Sequence, residues 1–255
     1  MAQIEAQRAA VADPNLPAYV SFMRSALSDL KLNLVRMLYE ENRAYYYWSL
    51  LEEPFQTNDL TMATLSAVHA TLCQDIKREM DARGVSQAFT QDAILTANPQ
   101  SATEAMLSMP YAFRNLAATK QLAFTLAQSF PGFKVMYQVT VDTYNISLPD
   151  FTPHSGELRV DLTHSGKAYQ TARPGAVASS VEFAHAPVRV PYHFDYQDND
   201  NKGGGQIGDP TQGYIGLSPF TLWTLDFSSS DQTVLDLLKE VKNIRLTFTG
   251  RFLGA

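Results

Sequence analysis

From Pro17 to about Leu51 the apolar residues Met23, Leu27, Leu30, Leu34, Met37, Ala44 and Trp48 recur in alternating steps of four and three, broken only where Glu41 takes a heptad position. That spacing predicts a helix with a coiled-coil-like seam, about 50 Å long at about 1.5 Å per residue. Pro54, in EEPFQTN, is placed to end it, because proline cannot continue a helix. Asn58 or Asp59 is positioned to cap a second helix, along which Met62, Leu65, His69, Leu72, Ile76 and Met80 share a face until Gly84 supplies a stop. Two long helices joined by a short connector read as an α-helical hairpin over residues 1–90.

After Phe130-Pro131-Gly132 the period changes to two. KVMYQVTVDTYNISLP alternates β-branched and aromatic residues with polar ones, and ELRVDLTH, AVASSVEF, VRVPYHF, FTLWTLDF and NIRLTFTGRFL follow the same rule. TVLDLLKEV reads as a short helix before the last strand. Between the halves, residues 91–129 form a connector in which SATEAMLSM reads as a short helix and KQLAFTLAQ fits helix or strand. The expected fold class is α+β: an N-terminal helical hairpin, then an antiparallel β-sandwich over residues 130–255.

Composition narrows the partners. Of 255 residues, 45% are hydrophobic and 18% charged, enough apolar surface for one large or two small cores. Twenty Lys and Arg against 26 Asp and Glu give a net charge of −6, without a basic run, which argues against nucleic acid and anionic membranes. Cys73 is the single cysteine, so no internal disulfide forms. The N-terminus lacks an apolar h-region and no eighteen apolar residues run together, so neither a signal peptide nor a membrane span is expected and the chain reads as soluble.

Candidate chemistry is sparse. In the acidic, glycine-rich stretch Asp195–Pro210, Asp198, Asp200, Gly203 and Asp209 stand at positions 1, 3, 6 and 12 of a calcium loop, but Lys202 occupies position 5 and strands flank the loop; a solvated connection is the simpler reading. His69 lies on an apolar helical stripe, as a hydrogen-bonded core histidine would, and Cys73 beside it reads as a buried, inert thiol. Among His69, His154, His164, His185 and His193 no histidine pair has helical metal spacing, although His185 and His193 flank neighbouring strands. No Gly-x-Ser-x-Gly elbow is present, and Asp142, Asp150, Glu157 and Asp161 are carboxylates without a diagnostic spacing. No catalytic residue, metal or cofactor is assigned. The run Tyr45-Tyr46-Tyr47-Trp48 spreads four rings around the helix at about 100° each, more than one neighbouring helix covers.

The order of these features resembles the C-terminal end of the A component of bacterial Tc insecticidal toxin complexes, and the related domain at the ends of large fungal proteins. The residues that carry the likeness are LVRMLYEENRAYYYWSL (34–50), DLTMATLSAVHATLCQDIKREM (59–80), AFTLAQSFPGFKVMYQVTVDTYNISLP (123–149), YIGLSPFTLWTLDF (214–227) and VKNIRLTFTGRF (241–252). The chain departs from the family after Pro-Gly, with Phe133-Lys134-Val135-Met136 in place of His-Tyr and a basic pair. The resemblance implies a β-sandwich that docks the B component and helices that meet neighbouring protomers in a ring. The family's membrane-entering tip has no counterpart among these residues, so assembly and docking, not pore formation, are what the likeness transfers.

Two classes of function follow. In the first, the chain is a non-enzymatic interaction module, a homo-oligomer whose interface uses Met23, Leu27, Leu30, Leu34, Met37 and Trp48, with a protein partner at the sandwich. In the second, the sandwich binds or hydrolyses carbohydrate, with Trp223, Tyr192, Tyr196 or Tyr214 stacking on sugar rings, although alternation in FTLWTLDF points Trp223 into the core.

Overall fold

A computed structural model describes residues 14–50, 61–82, 84–98, 106–150, 153, 155–171, 180–207 and 216–253. The fold is α+β. The chain divides into two compact units, Met1–Arg83 and Gly84–Ala255.

In the first unit, helix α1 (Leu16–Ser49) has Pro17 in its first turn, where a missing N–H is harmless, and no glycine or further proline in its 34 residues. It stops at Leu50, which takes a left-handed conformation (φ 57°) and donates its N–H to the Tyr46 carbonyl. The expected breaker, Pro54, lies outside the described residues. Helix α2 (Met62–Ala82) has a cap at Thr61; the expected caps Asn58 and Asp59 lie outside the described residues. Thr61 Oγ1 accepts from the Thr64 N–H (3.3 Å) while Thr64 Oγ1 accepts from the Thr61 N–H (2.7 Å), a reciprocal cap that satisfies both orphan donors.

The helices bury narrow stripes: Leu38, Asn42, Tyr45 and Ser49 on α1, and Leu65, Leu72 and Glu79 on α2. Their neighbours advance together along both helices. Glu41 meets His69, and Tyr45 lies close to Asp75 and Glu79, so α1 and α2 run side by side in the same direction. The hairpin expected from sequence is corrected to a parallel pair. Periodicity identifies which face is buried but is the same read in either direction, so it carries no information on polarity.

The second unit is two sheets packed face to face. The first has strand order β2-β1-β10-β4, from β1 (Ser86–Thr96), β2 (Met106–Ser108), β4 (Tyr137–Ser147) and β10 (Asn243–Leu253). The second has order β3-β9-β5-β7-β8, with β6 also on β5; its strands are β3 (Gln121–Thr125), β5 (Glu157–Thr171), β6 (Ser180–Ala184), β7 (Val188–Asp195), β8 (Asp200–Gly204) and β9 (Phe220–Asp226). Pairing is antiparallel except that β2 runs parallel to β1, Met106 opposite Ile94. Thus the described part of SATEAMLSM is an edge strand and not a helix, and the ambiguous KQLAFTLAQ contains β3, whose Leu122 and Phe124 alternate inward. Strand β1 pairs with β10 without interruption from Ser86–Leu253 to Thr96–Asn243, which joins the unit's first and last strands.

Helix α3 (Pro110–Thr119) inserts Phe113 and Leu116 into the core, and α4 (Gln232–Leu237), extended by a 3₁₀ turn at Leu238–Glu240, contributes Val234 and Leu238. Between the sheets Trp223 and Phe248, both fully buried, lie 5.7 Å apart ring to ring. The Phe-Pro-Gly turn sends Phe133 inward, edge-on to Phe89 and Phe220. Each buried ring of this size removes upward of 150 Å² from water, and such burial dominates the unit's stability.

Register shifts shape the sheets. Between β4 and β10 the register shifts at Gly250, where an added Cβ would stand 2.0 Å from the Thr140 carbonyl oxygen. In β5, Gly166 (φ 87°) interrupts the pairing with β9, after which β5 exchanges β7 for β6 as its other neighbour.

Candidate functional site

The interface residues expected on α1 occupy one arc of the helix, which flanks the stripe buried toward α2: Leu34 and Met37 line a cavity together with Leu65, Ser66 and His69 of α2. The buried residues Leu38, Tyr45 and Ser49 each follow a seam position, Met37, Ala44 or Trp48, by one residue, a rotation of about 100°. Of the expected seam, Met23 is 49% exposed, Leu27 54%, Leu30 52% and Met37 65%, while Leu34 and Trp48 are half-buried. Tyr19 and Phe22 extend the apolar surface toward the N-terminus of α1. In the aromatic run only Tyr45 is fully buried; its ring tilts against Trp48 (6.2 Å), and burial together with the nearby Asp75 carboxylate raises its pKa.

Two assignments in this unit are corrected. His69 is not a core histidine, since its side chain is 57% exposed, and Cys73 is exposed as well. On α2 only Leu65, Leu72 and Glu79 are buried among the described side chains, and the flanks of its apolar stripe stay in water. His69 Nε2 stands 3.6 Å from Cys73 Sγ and 3.8 Å from Glu41 Oε2. The pair His69/Cys73 was legible as an i, i+4 couple; a survey of histidine pairs alone passes over it.

The acidic loop has a physical explanation. Strands β7 and β8 form a hairpin whose turn covers Tyr196–Asn199. Lys202 Nζ lies 2.6 Å from Asp198, 3.7 Å from Asp200 and 3.9 Å from Asp195, so the ammonium at calcium position 5 serves as the cation for those carboxylates. Its pKa rises through the hydrogen bond to Asp198. Asp209 lies outside the described residues.

In the sandwich the remaining candidates disperse. His185 stacks on His164 (4.7 Å), and His193 faces Glu157 at 3.3 Å, so the suspected His185/His193 pair has separate partners. His164 is fully buried in the β5 bulge. The Gly166 N–H donates to its Nδ1, which leaves Nε2 to donate to the Ser218 carbonyl; burial, then the His185 ring, lower its pKa to about 4. His154 lies outside the described residues. Asp142 pairs with Arg251, Asp150 with Asn243, Glu157 with Arg159 and Asp161 with Arg189. The four carboxylates therefore have four different partners. Trp223 and Tyr192 are in the core and unavailable to a sugar; Tyr192 donates to Asn145 Oδ1. Tyr196 packs against the core and Phe194, and Tyr214 lies outside the described residues.

A groove of about 830 Å³ opens on the six-stranded sheet, lined by Thr125–Ser129 together with Lys167, Tyr169, Ser180 and Leu222. Leu222 is 47% and Tyr169 42% exposed. Lys167 Nζ pairs with Glu182 at 2.9 Å, which raises the lysine pKa and lowers that of the carboxylate. No helix among the described residues is long and apolar enough to cross a membrane.

No protein-family model matches the chain, and no curated protein matches it. Among solved structures, the chain is similar to TcdA4 of Morganella morganii, with 12% identity and a TM-score of 0.48 over 98% of this chain and 12% of that one. It is also similar to TcaA-TcaB of Yersinia pseudotuberculosis, with 12% identity and a TM-score of 0.34 over 74% of this chain and 11% of that one. The chain thus spans about an eighth of the length of the first of these and about a ninth of the second.

Proposed function

We propose that the chain is a non-enzymatic assembly module: copies associate through the outward face of α1, and the sandwich offers its groove to a protein partner. The observation that carries the reading is the exposed apolar seam on the N-terminal half of α1. The regular seam Met23, Leu27 and Leu30 lies on the stretch of α1 before the residues that meet α2 and stays exposed, and a second copy of the same helix is a partner whose spacing matches it. The resemblance noted in the sequence implies the same arrangement. The carbohydrate-binding reading has less support, since Trp223 and Tyr192 are buried in the core.

Light scattering on the purified full chain tests the assembly. The expected result is a particle of several chains at micromolar concentration that reverts to one chain in the double variant Leu27→Asp/Leu30→Asp. A single-chain mass for the unaltered protein overturns it. Docking is tested separately with a Tc B component in solution: association should weaken at least tenfold in Leu222→Asp, and equal binding by the variant rules the groove out.

A further inference from the structure

The geometry points to a transition-metal site in the helical unit, formed by Glu41, His69 and Cys73 and suited to a divalent cation of the zinc class. His69 and Cys73 stand four residues apart on α2 and so share a face, and Glu41 reaches them from α1. One ligand atom from each residue lies within 4.8 Å of the other two.

The way the three converge separates a cation site from a nucleophile relay. In a relay the carboxylate holds one imidazole nitrogen while the other takes the thiol proton. Here Glu41 Oε2 and Cys73 Sγ both approach the same nitrogen, His69 Nε2, at 3.8 and 3.6 Å. Three ligand atoms gathered around one point are what a shared cation needs. Tetrahedral zinc, with bonds of about 2.0 Å to nitrogen and oxygen and about 2.3 Å to sulfur, places N and S about 3.6 Å apart and N and O about 3.3 Å apart. The nitrogen–sulfur separation already matches that geometry, and the nitrogen–oxygen separation exceeds it by about 0.5 Å.

Donor chemistry narrows the cation. A thiolate, an imidazole and a carboxylate favour zinc and its neighbours over magnesium or calcium, which require oxygen ligands. His69 and Glu41 side chains are 57% and 38% exposed, so solvent supplies a fourth ligand. The site also accounts for the polar interruption of the α1 seam: Glu41 stands where an apolar residue would continue it, and beside it Leu34, Met37, Leu38, Leu65 and Ser66 line a cavity of about 350 Å³. A bound cation would tie α1 to α2 and hold their parallel register. Binding releases the Cys73 proton and leaves the thiolate on the metal, so affinity rises with pH.

The test uses the full chain, stripped of metal by a chelator and titrated with Co²⁺. Because Cys73 is the only cysteine, a thiolate-to-cobalt charge-transfer band reports this site alone. We expect the band, with the visible spectrum of four-coordinate cobalt, to saturate at one equivalent and to vanish on addition of Zn²⁺. Cys73→Ser should abolish the charge-transfer band, and His69→Ala and Glu41→Gln should each weaken Zn²⁺ binding at least about 10- to 100-fold, the loss that even outer-layer partners of a metal site cause. Circular dichroism of the variants, expected to be unchanged because these side chains are substantially exposed, shows that they fold. No charge-transfer band at equimolar Co²⁺, or a Zn²⁺ affinity the same in all three variants as in the unaltered chain, overturns the proposal. Metal affinity does not depend on the assembly reading, which is read from the particle mass in the same samples.

Discussion

The two units solve the burial problem in opposite ways. In the sandwich each sheet covers the other, and rings such as Trp223, Phe227 and Phe248 have no exposed surface. In the helical unit α1 buries four residues against a parallel neighbour and leaves Met23, Leu27, Leu30 and Met37 about half exposed or more. The difference teaches that a sheet pair can finish its own core, whereas two helices in contact leave each other with an uncovered flank. Under the proposed assembly role, interior truncation should damage the sandwich, and changes on the α1 face should alter association.

The largest expected effect is on the sandwich side. Trp223→Ala removes a fully buried ring between the sheets, and it should cost about 3–5 kcal/mol in denaturant unfolding monitored on that unit. Loss of less than about 1 kcal/mol would mean the core is looser than its packing implies.

Acid should produce the next effect. The folded His164 pKa is lowered to about 4 from 6.5, so the native state favours the neutral ring and the unfolded chain takes up the proton first. Its contribution is complete above pH 6.5 and is lost as pH falls through 4, amounting to ~3 kcal/mol at neutrality. Urea midpoints measured across that window should fall less steeply in His164→Gln than in the unaltered protein.

Third comes the β5 bulge. A Cβ at Gly166 would stand 2.3 Å from the His185 carbonyl oxygen, on a backbone with φ 87°. Gly166→Ala should therefore cost about 1–3 kcal/mol, read as a lower thermal midpoint of the sandwich. The smallest stability change belongs to the helix face: Leu27→Asp/Leu30→Asp should stay within about 0.5 kcal/mol per site while changing the particle mass. If unfolding of the sandwich and association respond to the same substitutions, the division between the units fails.

Much of the fold was legible from local pattern. The period-two runs became β4, β5, β7, β9 and β10, and TVLDLLKEV became α4 with its 3₁₀ extension. The short helix α3 went unseen although Pro110 is a first-turn signal, because PYAFRNLAAT is too short for its period to stand out. Strands β1 and β2 were hidden for another reason. SQAFTQDAILT alternates weakly, and its place as a strand comes from β10, whose pairing residues are more than 145 positions away in the chain. The metal-ligand triad was half legible: the spacing of His69 and Cys73 is local, but the approach of Glu41 depends on the direction of α2.

The order of side chains alone determined which faces are apolar, where the helical half gives way to strands, and that Lys202 would stand among aspartates. Those are properties of neighbouring residues, and backbone geometry translates them directly into faces. Tertiary structure decided the parallel direction of the helices, the partners of every strand, and which of two adjacent stripes on α1 would be covered. Such choices depend on contacts between residues far apart in the chain, where many pairings share the same local periodicity and only mutual packing separates them.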